Sequence, residues 1–343
     1  MTLKINGKRF NFFNQFSVAL KYDTVASAFG FSCYYDSNNS EHRELLKPLH
    51  YQKAIIEHNG ETLITGTILS NTFKDAPQKQ LATISGYSLP GVLEDCEIQG
   101  ALQSDGLTLK EIAEKICAPF NISVVISDSV SEKMNSTFDV TNAKETQTCK
   151  GYLTELAAQK NIILSHTSGG ALLFTEAKVD QKPIHHFERG IPGTEFSLQI
   201  NGQALHSEIT AMKEADTEGG NAGDATVKNP FVTLFRPKIV VQSSGTDIDS
   251  EQAAKNVRAE ELKNIKLTIT TDRWEIDGKI IKPNQIISVH NHEIFVWQKT
   301  NWFIESVKLD GDKDKTVATL ECVLPECFNG GEPQNIFSSN IYK

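Results

Sequence analysis

Residues 107–120 read Leu-Thr-Leu-Lys-Glu-Ile-Ala-Glu-Lys-Ile-Cys-Ala-Pro-Phe, and the rest of the chain is organised around this stretch. Its apolar residues recur at the spacing of one helix face: Leu109, Ile112, Ala113, Ile116 and Phe120. Thr108 and Glu111 are spaced to form a capping box, and Pro119 predicts that the helix ends near Ala118. The sequence before this helix is almost wholly strand-like, so the helix marks the change from one module to the next.

The sequence predicts an α+β fold that is mainly β, with two small β-barrel or roll modules flanking an α/β middle region. The first module, residues 1–98, carries short strand-like segments at even spacing, which is typical of small barrels. Its strongest hairpin signal is His58-Asn59-Gly60, between two apolar segments. The middle module, residues 99–185, contains the helix above and a second predicted helix at Cys149–Lys160, each followed by strands.

The third module, residues 186–343, is predicted as a second β-barrel-like module with an inserted loop and helix. Its strand-like segments are Glu195–Ile200, Ser207–Thr210, Phe231–Phe235, Lys238–Val241, Ile286–Val289, Ile294–Trp297, Trp302–Val307 and Val317–Cys322. Residues 214–229 are rich in Gly, Ala, Asp and Thr without apolar periodicity, which predicts a long mobile loop. Residues 249–262 have a thin apolar face and a cap pair in Asp249 and Gln252, which predicts an exposed helix.

The composition excludes several classes of protein. With 34 Lys and Arg against 43 Asp and Glu, the net charge is −9, which argues against a dedicated nucleic-acid-binding protein. An acidic wall would still let DNA slide past, because like charges limit sticking. The six cysteines are scattered, which predicts reduced and mostly buried thiols rather than a disulfide scaffold or a zinc ribbon. We find neither an apolar run that could span a bilayer nor the apolar region of a secretory signal.

Two groups of residues have partial metal-ligand spacing. Asp310–Asp314 with Glu321 places acids at positions one, three, five and twelve of a calcium loop. Lys315 occupies position six, where the sharp turn needs Gly, so a polar hairpin tip is the preferred interpretation. His290 and His292 stand two apart in a predicted strand and would face one side, but no third ligand is visible. Two surface histidines are therefore preferred to a metal site.

Other chemically suggestive residues have an equally plain structural explanation. The groups concerned are His185-His186 with Glu188 in a predicted linker, and the acidic pairs Glu94-Asp95 and Glu260-Glu261 at a predicted turn and helix. Trp274, Trp297 and Trp302 could form a sugar-binding platform, although tryptophans in a β module more often lie in the core or at an interface. No catalytic or phosphate-binding motif occurs in a credible context. We therefore predict no catalytic, cofactor-binding or metal-binding residue, and no enzyme.

Several segments in order carry a resemblance to a known family. They are Ile84–Cys96 at the end of the first module, Leu107–Val125 in the middle, and Arg273-Trp274, Ile280–Ile287, Phe303–Val307 and Leu320–Phe328 in the last. Over roughly residues 1–328 the chain resembles the baseplate hub proteins of Mu-like contractile bacteriophages and prophages, which include late-control protein D-like tail proteins. Tyr87 and Leu89 stand where such proteins usually have charged or polar residues.

The resemblance implies a structural protein of the virion, made in the bacterial host cytoplasm and located in the tail baseplate. It implies a homotrimeric ring with pseudo-sixfold symmetry, because each subunit would contribute two barrel-like domains. The implied partners are the tail tube protein, the central spike protein and other baseplate proteins. DNA would be present only in transit through the lumen, and no cofactor and no stable membrane association are expected. The alternative is a tail-associated module that binds cell-wall glycan or hydrolyses peptidoglycan.

Overall fold

The computed structural model describes residues 1–76, 79–99, 103–138, 141–213, 224–242, 249–312 and 314–337. The chain forms two compact units: unit 1 comprises Met1–Glu176 and Lys308–Ala318, and unit 2 comprises Ala177–Val307 and Thr319–Lys343. The fold is mainly β with large antiparallel sheets, as the sequence predicts. The two-barrel description and the three module boundaries stay predictions.

The strands of the described residues are given first and the α-helices second, each in chain order. The strands are β1 (Thr2–Ile5), β2 (Lys8–Phe10), β3 (Phe13–Lys21), β4 (Ala28–Tyr34), β5 (Lys53–His58), β6 (Glu61–Ala76), β7 (Lys79–Ser88), β8 (Val124–Ile126), β9 (Ile163–His166), β10 (Leu172–Thr175), β11 (His186–Glu188), β12 (Thr194–Ile200), β13 (Glu208–Lys213), β14 (Asp224–Lys228), β15 (Pro237–Gln242), β16 (Ile265–Thr271), β17 (Glu275–Ile276), β18 (Lys279–Ile280), β19 (Ile286–Asn291), β20 (Val296–Gly311) and β21 (Thr316–Val323). The α-helices are α1 (Ser40–Leu45), α2 (Val92–Asp95), α3 (Leu109–Cys117), α4 (Ser131–Met134), α5 (Cys149–Gln159), α6 (Ser250–Leu262) and α7 (Glu326–Asn329).

The main sheet of unit 1 runs in the order β2-β1-β5-β6-β7-β4-β3, with the end of β20 beside β3. The β5–β6 hairpin turns at the predicted place, since Asn59 and Gly60 have φ values of 49° and 84°. A two-residue turn of this kind needs a positive φ at both central positions, which Asn and Gly tolerate best. The inward side chains of this sheet are nearly inaccessible to solvent: Leu3, Ile5, Val18, Phe31, Ile56 and Ile84.

The middle part of unit 1 is built on α3 and α5. Thr108 caps α3 by accepting the Glu111 N–H at 3.3 Å, and the Glu111 carboxylate accepts the Thr108 N–H at 2.8 Å, so the predicted capping box is present. The predicted apolar face of α3 packs with α5 and the β8-β10-β9 sheet in one core, in which Leu109, Ile112, Leu153 and Leu172 are fully buried. This core explains why so short a helix is stable, because packing rather than intrinsic propensity supports most protein helices.

The main sheet of unit 2 runs in the order β12-β16-β21-β20-β19-β11. Residues 294–307 were predicted as two strands, but β20 is continuous from Val296. The prediction was wrong because Thr300 and Asn301, which are polar, still pair with Val289 and Ser288 of β19. A polar side chain on the outer face of a sheet does not interrupt the backbone hydrogen bonds of the ladder.

A separate three-stranded sheet of unit 2, in the order β14-β13-β15, packs against α6. The predicted loop 214–229 is corrected here, because Asp224–Lys228 form β14; residues 214–223 lie outside the described residues. Val227 explains the strand, since it is 7% exposed and packs with Ile209 and Ala254. The composition of the segment suggested a loop because it has few apolar side chains, and Val227 is buried only because α6 packs against it.

Two further predictions in this region are corrected. Phe231–Phe235 is a loop rather than a strand, since the Asn229 side chain accepts the Phe231 N–H at 3.1 Å and the Arg236 guanidinium donates to the carbonyls of Leu205 and Gln203. The helix predicted at residues 249–262 is present as α6, but it is not simply exposed. Its Arg258 and Glu261 are buried, at 1% and 6% exposure, because both are paired with groups on neighbouring segments.

Candidate functional site

Asp310, Asp312 and Asp314 lie at the tip of the β20–β21 hairpin, as predicted. The Asp312 carboxylate accepts the N–H groups of Asp314 and Lys315 at 2.8 Å, which lowers the pKa of Asp312. Asp310 pairs with Lys308 at 2.9 Å. Glu321, the twelfth position of the calcium spacing, instead accepts the Ser306 hydroxyl at 3.1 Å. The carboxylates therefore serve as turn and ion-pair groups.

The histidines are arranged differently from the prediction. His290 is exposed in β19, which ends at Asn291, but His292 begins a 3-10 helix, so the two do not share a strand face. His292 Nε2 lies 3.1 Å from the Arg189 guanidinium. His186, predicted in a linker, lies in β11, where its Nδ1 is 2.9 Å from the Ser288 hydroxyl. The parallel ladder with β19 explains this strand, because it supplies the backbone partners that a three-residue segment lacks alone.

The tryptophans do not form an exposed platform. Trp302 is fully buried, whereas Trp297 is 39% exposed and Trp274 is half-buried. Trp302 lies in β20 and fills the core of unit 2, so the interpretation as a core residue is confirmed for it. A glycan would need the ring faces of all three to be accessible from one side, and the burial of Trp302 removes it from such a platform.

The two acidic pairs form ion pairs and hydrogen bonds with neighbouring side chains. Glu94 forms an ion pair with Lys150, and Asp95 accepts the Tyr87 hydroxyl at 2.5 Å, so Tyr87 is held by a partner eight residues away. Burial and this hydrogen bond raise the pKa of Tyr87. Glu260 pairs with Lys263 at 3.1 Å across one helical turn.

Glu261 is a buried carboxylate with three polar contacts. Its two oxygens accept the His206 N–H at 3.0 Å and the Lys238 ammonium at 2.9 Å, and the His206 ring lies 2.7 Å away. These bonds join α6 to β15 and to His206, which lies two residues before β13. Glu260 is therefore an exposed surface charge, whereas Glu261 is buried and links α6 to β15 and to the segment before β13.

No group of three or more His, Cys, Asp and Glu side chains could hold a metal ion within the described ranges. All six cysteines have free thiols, and five of them are buried. Burial raises the pKa of Cys117 and of Cys33 to about 12, which keeps both thiols protonated and unreactive at neutral pH. Among the helices that the structure describes, none is both long and apolar enough to cross a bilayer.

The most distinctive surfaces are apolar, and the sequence patterns did not single them out. In unit 1 the segment Lys47–Tyr51 is wholly exposed, with Leu49 at 77% and Tyr51 at 61%. Unit 1 also has a cleft of about 360 Å³ over β3 and β4. In unit 2 the exposed large apolar side chains include Leu234, Phe235, Ile239 and Val241. A short apolar segment has the same sequence pattern whether it is buried in the core or exposed on the surface. Periodicity therefore could not predict these surfaces.

The fold and these surfaces can be compared with known proteins. Residues 90–176 match the family model for the second domain of gp44-like baseplate hub proteins. The chain is 22% identical over 337 residues to the baseplate hub protein gp44 of Escherichia phage Mu, covering 93% of this chain and 87% of that protein.

Two solved structures share the fold across nearly the whole chain. The 43 kDa tail protein of prophage MuSo2 from Shewanella oneidensis has a TM-score of 0.77 at 20% identity, covering 95% of this chain and 98% of that one. The tail protein from Neisseria meningitidis MC58 has a TM-score of 0.78 at 20% identity, covering 96% and 98%. The family model and the relative from phage Mu confirm the resemblance to Mu-like baseplate hub proteins, and the two solved structures confirm the fold.

Proposed function

We propose that this protein is the structural baseplate hub of a contractile phage or prophage tail. The observation that carries the proposal is the similarity to the hub protein of phage Mu, which runs over 93% of the chain rather than over one domain. The similarity therefore extends through both units of the chain rather than over a single transferable domain. A shared fold does not establish a shared function, so the assembly of the ring has to be tested directly.

We propose that three subunits form a closed ring with pseudo-sixfold symmetry. Each chain has two compact units that each contain a large sheet, so a trimer presents six related surfaces. A ring closes when two different surfaces of one subunit meet at a rotation that returns to the start. In this proposal the modules at residues 1–98 and 186–343 form barrel-like walls, and the middle module at 99–185 lies between them in the chain. The match at residues 90–176 to a second hub domain supports a distinct middle module, although the matched range begins and ends nine residues before the bounds proposed here.

The partners in this proposal are those of a hub: the tail tube, the central spike and other baseplate proteins. A threefold ring with six related surfaces would join a sixfold tube to a threefold spike. DNA would pass through its lumen, and the net charge of −9 fits transit better than tight binding, because like charges repel. The protein would act in the virion baseplate after synthesis in the host cytoplasm, without stable membrane attachment.

The proposed role needs no turnover, no cofactor and no catalytic residue. The cell-wall alternative, glycan binding or peptidoglycan hydrolysis, gains no support from the tryptophans because Trp302 is buried. The two proposals differ in a simple property, since a glycan-binding module works as a monomer and a hub ring does not.

The native mass in solution tests the proposal. Light scattering on a sizing column should give a mass near 3 × 38.0 = 114.0 kDa, and negative-stain images should show rings with a central hole. A mass of 38.0 kDa at every concentration, with or without the tail tube protein, would contradict the ring.

A further inference from the structure

Strand β15 of unit 2 directs two large apolar side chains away from α6. Successive residues of a strand face opposite sides of its sheet. Lys238, Val240 and Gln242 are on the side that faces α6. Ile239 and Val241 face the other side, where they are 66% and 67% exposed. A sheet that packs on a helix with one face usually has the opposite pattern, with its apolar side chains toward the helix and its polar ones toward water.

The register of the sheet fixes this orientation. Lys238 pairs with Ile209 of β13, and its ammonium lies 2.9 Å from the carboxylate of Glu261 in α6, which is 6% exposed. A shift of one residue would turn Ile239 and Val241 toward α6, but it would also remove the cation from the buried Glu261. The ion pair therefore holds the two apolar side chains outward.

Neighbouring side chains extend the outward apolar surface. Met212 of β13 pairs with Val241, lies on the same side of the sheet and is 39% exposed. Leu234 and Phe235, in the loop before β15, are 68% and 75% exposed. Arg236 anchors this loop by donating to two backbone carbonyls. The surface is called the β15 face below, and it consists of Met212, Leu234, Phe235, Ile239 and Val241.

The outward side of this sheet carries little net charge. Glu208 and Lys228 are directly opposite each other on β13 and β14, and Asp224 adds one negative charge. A nucleic acid would need a basic surface, so this side does not suit one. In the described sheet β15 is also an edge strand. An apolar edge strand that stayed uncovered would promote aggregation, which favours a protein partner that covers it.

The area of the β15 face matches one side of a stable protein interface. Its exposed side chains present on the order of 400 Å² of apolar surface. A standard interface takes about 800 Å² from each partner, and somewhat more than half of that area is apolar. The β15 face therefore supplies the apolar part of a contact with a folded surface, whereas a small ligand would leave much of it uncovered.

Unit 1 exposes a second apolar surface, which lies around α1. The ring of Phe12, 48% exposed, packs on the ring of His42 in α1 with centroids 4.6 Å apart. Tyr34, 54% exposed, donates its backbone N–H to the Phe12 carbonyl at 2.7 Å. Leu49 and Tyr51 follow α1 in the chain and are 77% and 61% exposed. The surface is called the α1 surface below, and it consists of Phe12, Tyr34, Leu49 and Tyr51.

The two surfaces belong to different units of the chain. A contact between the β15 face of one copy and the α1 surface of the next copy is heterologous, which is the kind of contact that generates rings. Unit 2 of each copy then meets unit 1 of its neighbour, so the two kinds of unit alternate around the ring. Every copy uses each surface once, and a closed ring therefore leaves neither surface exposed.

We propose that the β15 face of one subunit binds the α1 surface of the next copy of this chain. Ile239, Val241 and the loop before β15 contact the aromatic and aliphatic side chains around α1. This inference rests on the proposed function, because it assigns the subunit contact within the proposed ring. It names both surfaces by residue, so each can be changed separately.

Two variants separate the two halves of the contact. Ile239→Lys with Val241→Lys places two charges on the β15 face but leaves the α1 surface intact. Leu49→Asn with Tyr51→Asn removes two apolar side chains from the α1 surface, at positions with φ values of 60° and 47° that asparagine tolerates. Each variant alone should be a monomer of 38.0 kDa, or its trimer should dissociate at a concentration at least about 30-fold higher than wild type.

An equimolar mixture of the two variants retains one intact contact. It should give a heterodimer near 2 × 38.0 = 76.0 kDa in sedimentation, at concentrations at which each variant alone is monomeric. Ile239→Thr with Val241→Thr keeps β-branched side chains suited to a strand, and it should weaken the trimer in the same direction. Thermal unfolding should show that all of these variants fold.

Phe295→Asn is the matched control, because Phe295 is 60% exposed, has a φ of 61° and belongs to neither surface. It should leave the trimer unchanged. A trimer that survives the changes on either surface at wild-type concentrations would overturn this inference and leave the proposed ring standing. If the β15-face variant stays trimeric but no longer binds the spike protein, the spike covers that face and the inference is wrong. A mixture without heterodimer would also contradict it, whereas a wild type that never forms a trimer would contradict the proposed function itself.

Discussion

The guanidinium of Arg258 and the carboxylate of Glu332 form a two-point ion pair, with Nη1–Oε2 at 2.8 Å and Nη2–Oε1 at 3.1 Å. Arg258 is 1% exposed and also donates to the carbonyls of Lys228 and Gly331. One side chain of α6 therefore joins β14 to the segment after α7. Nearby, the Asn335 side chain donates to the Pro230 carbonyl at 2.9 Å, which attaches the same segment a second time.

Replacing Arg258 should lower the free energy of unfolding more than replacing Glu332. Glu332→Gln should cost only about 1 kcal/mol of unfolding free energy, because the Glu332 side chain is 74% exposed and solvent screens its charge. Arg258→Met should cost about 2 kcal/mol or more, since two carbonyls also lose their donor. Chemical denaturation measures both values. Glu251→Gln, which affects an exposed pair with Lys255, is the control and should change stability by less than about 0.5 kcal/mol.

The same pair predicts a pH dependence. The hydrogen bond with Arg258 lowers the pKa of Glu332 below its usual 4.5. A lowered carboxyl pKa means that the stabilisation is present above pH 4.5 and is lost as the pH falls through the pKa of the folded state. The stability difference between wild type and Glu332→Gln should therefore be constant at neutral pH and shrink below pH 4.5. A difference that stays the same down to acid unfolding would contradict this account.

His166 should make unit 1 less stable in mild acid. Its ring lies 2.8 Å from both the Thr24 carbonyl and the Ser27 hydroxyl, and burial lowers the pKa of His166 from 6.5. The unfolded chain then binds a proton that the folded chain does not, so stability falls as the pH drops below 6.5. His166→Gln should lose this pH dependence, while exposed His290→Gln should keep it. Unfolding midpoints between neutral pH and pH 5 provide the measurement.

The capping box of α3 should be worth about 1 kcal/mol, because Thr108→Ala leaves the Glu111 N–H without its side-chain acceptor. Thr154→Ala in the exposed middle of α5 is the matched control. It should be neutral or slightly stabilising, since alanine has the better helix propensity. Equal losses for the two variants would show that the cap contributes nothing.

Gly86 and Gly30, on neighbouring strands β7 and β4, should respond oppositely to alanine. A Cβ at Gly86 would overlap the Thr67 carbonyl, and backbone cannot move aside cheaply, so Gly86→Ala should cost about 3 kcal/mol. A Cβ at Gly30 would lie 3.9 Å from the Ile84 carbonyl, an ordinary contact. Gly30→Ala should therefore be neutral or stabilise by about 0.5 kcal/mol. Thermal unfolding of the two variants tests this difference.

The sequence by itself determined the local features of this protein. The capping box of Thr108 and Glu111, the Asn59-Gly60 turn and the helix after Asp249 depend on hydrogen bonds and backbone angles within a few residues. Such interactions involve residues that are close together in the sequence, so residue type and spacing are enough to predict them. The mainly β character follows from the same kind of local pattern.

Tertiary structure alone decided what each apolar or charged side chain contacts. Val227 is in a strand because α6 covers it, and Arg258 is buried because Glu332, 74 positions along the chain, meets it. Leu49 and Tyr51 are apolar like core residues, yet they are exposed. Burial depends on segments distant in sequence, and periodicity cannot distinguish a side chain that faces its own core from one that faces solvent.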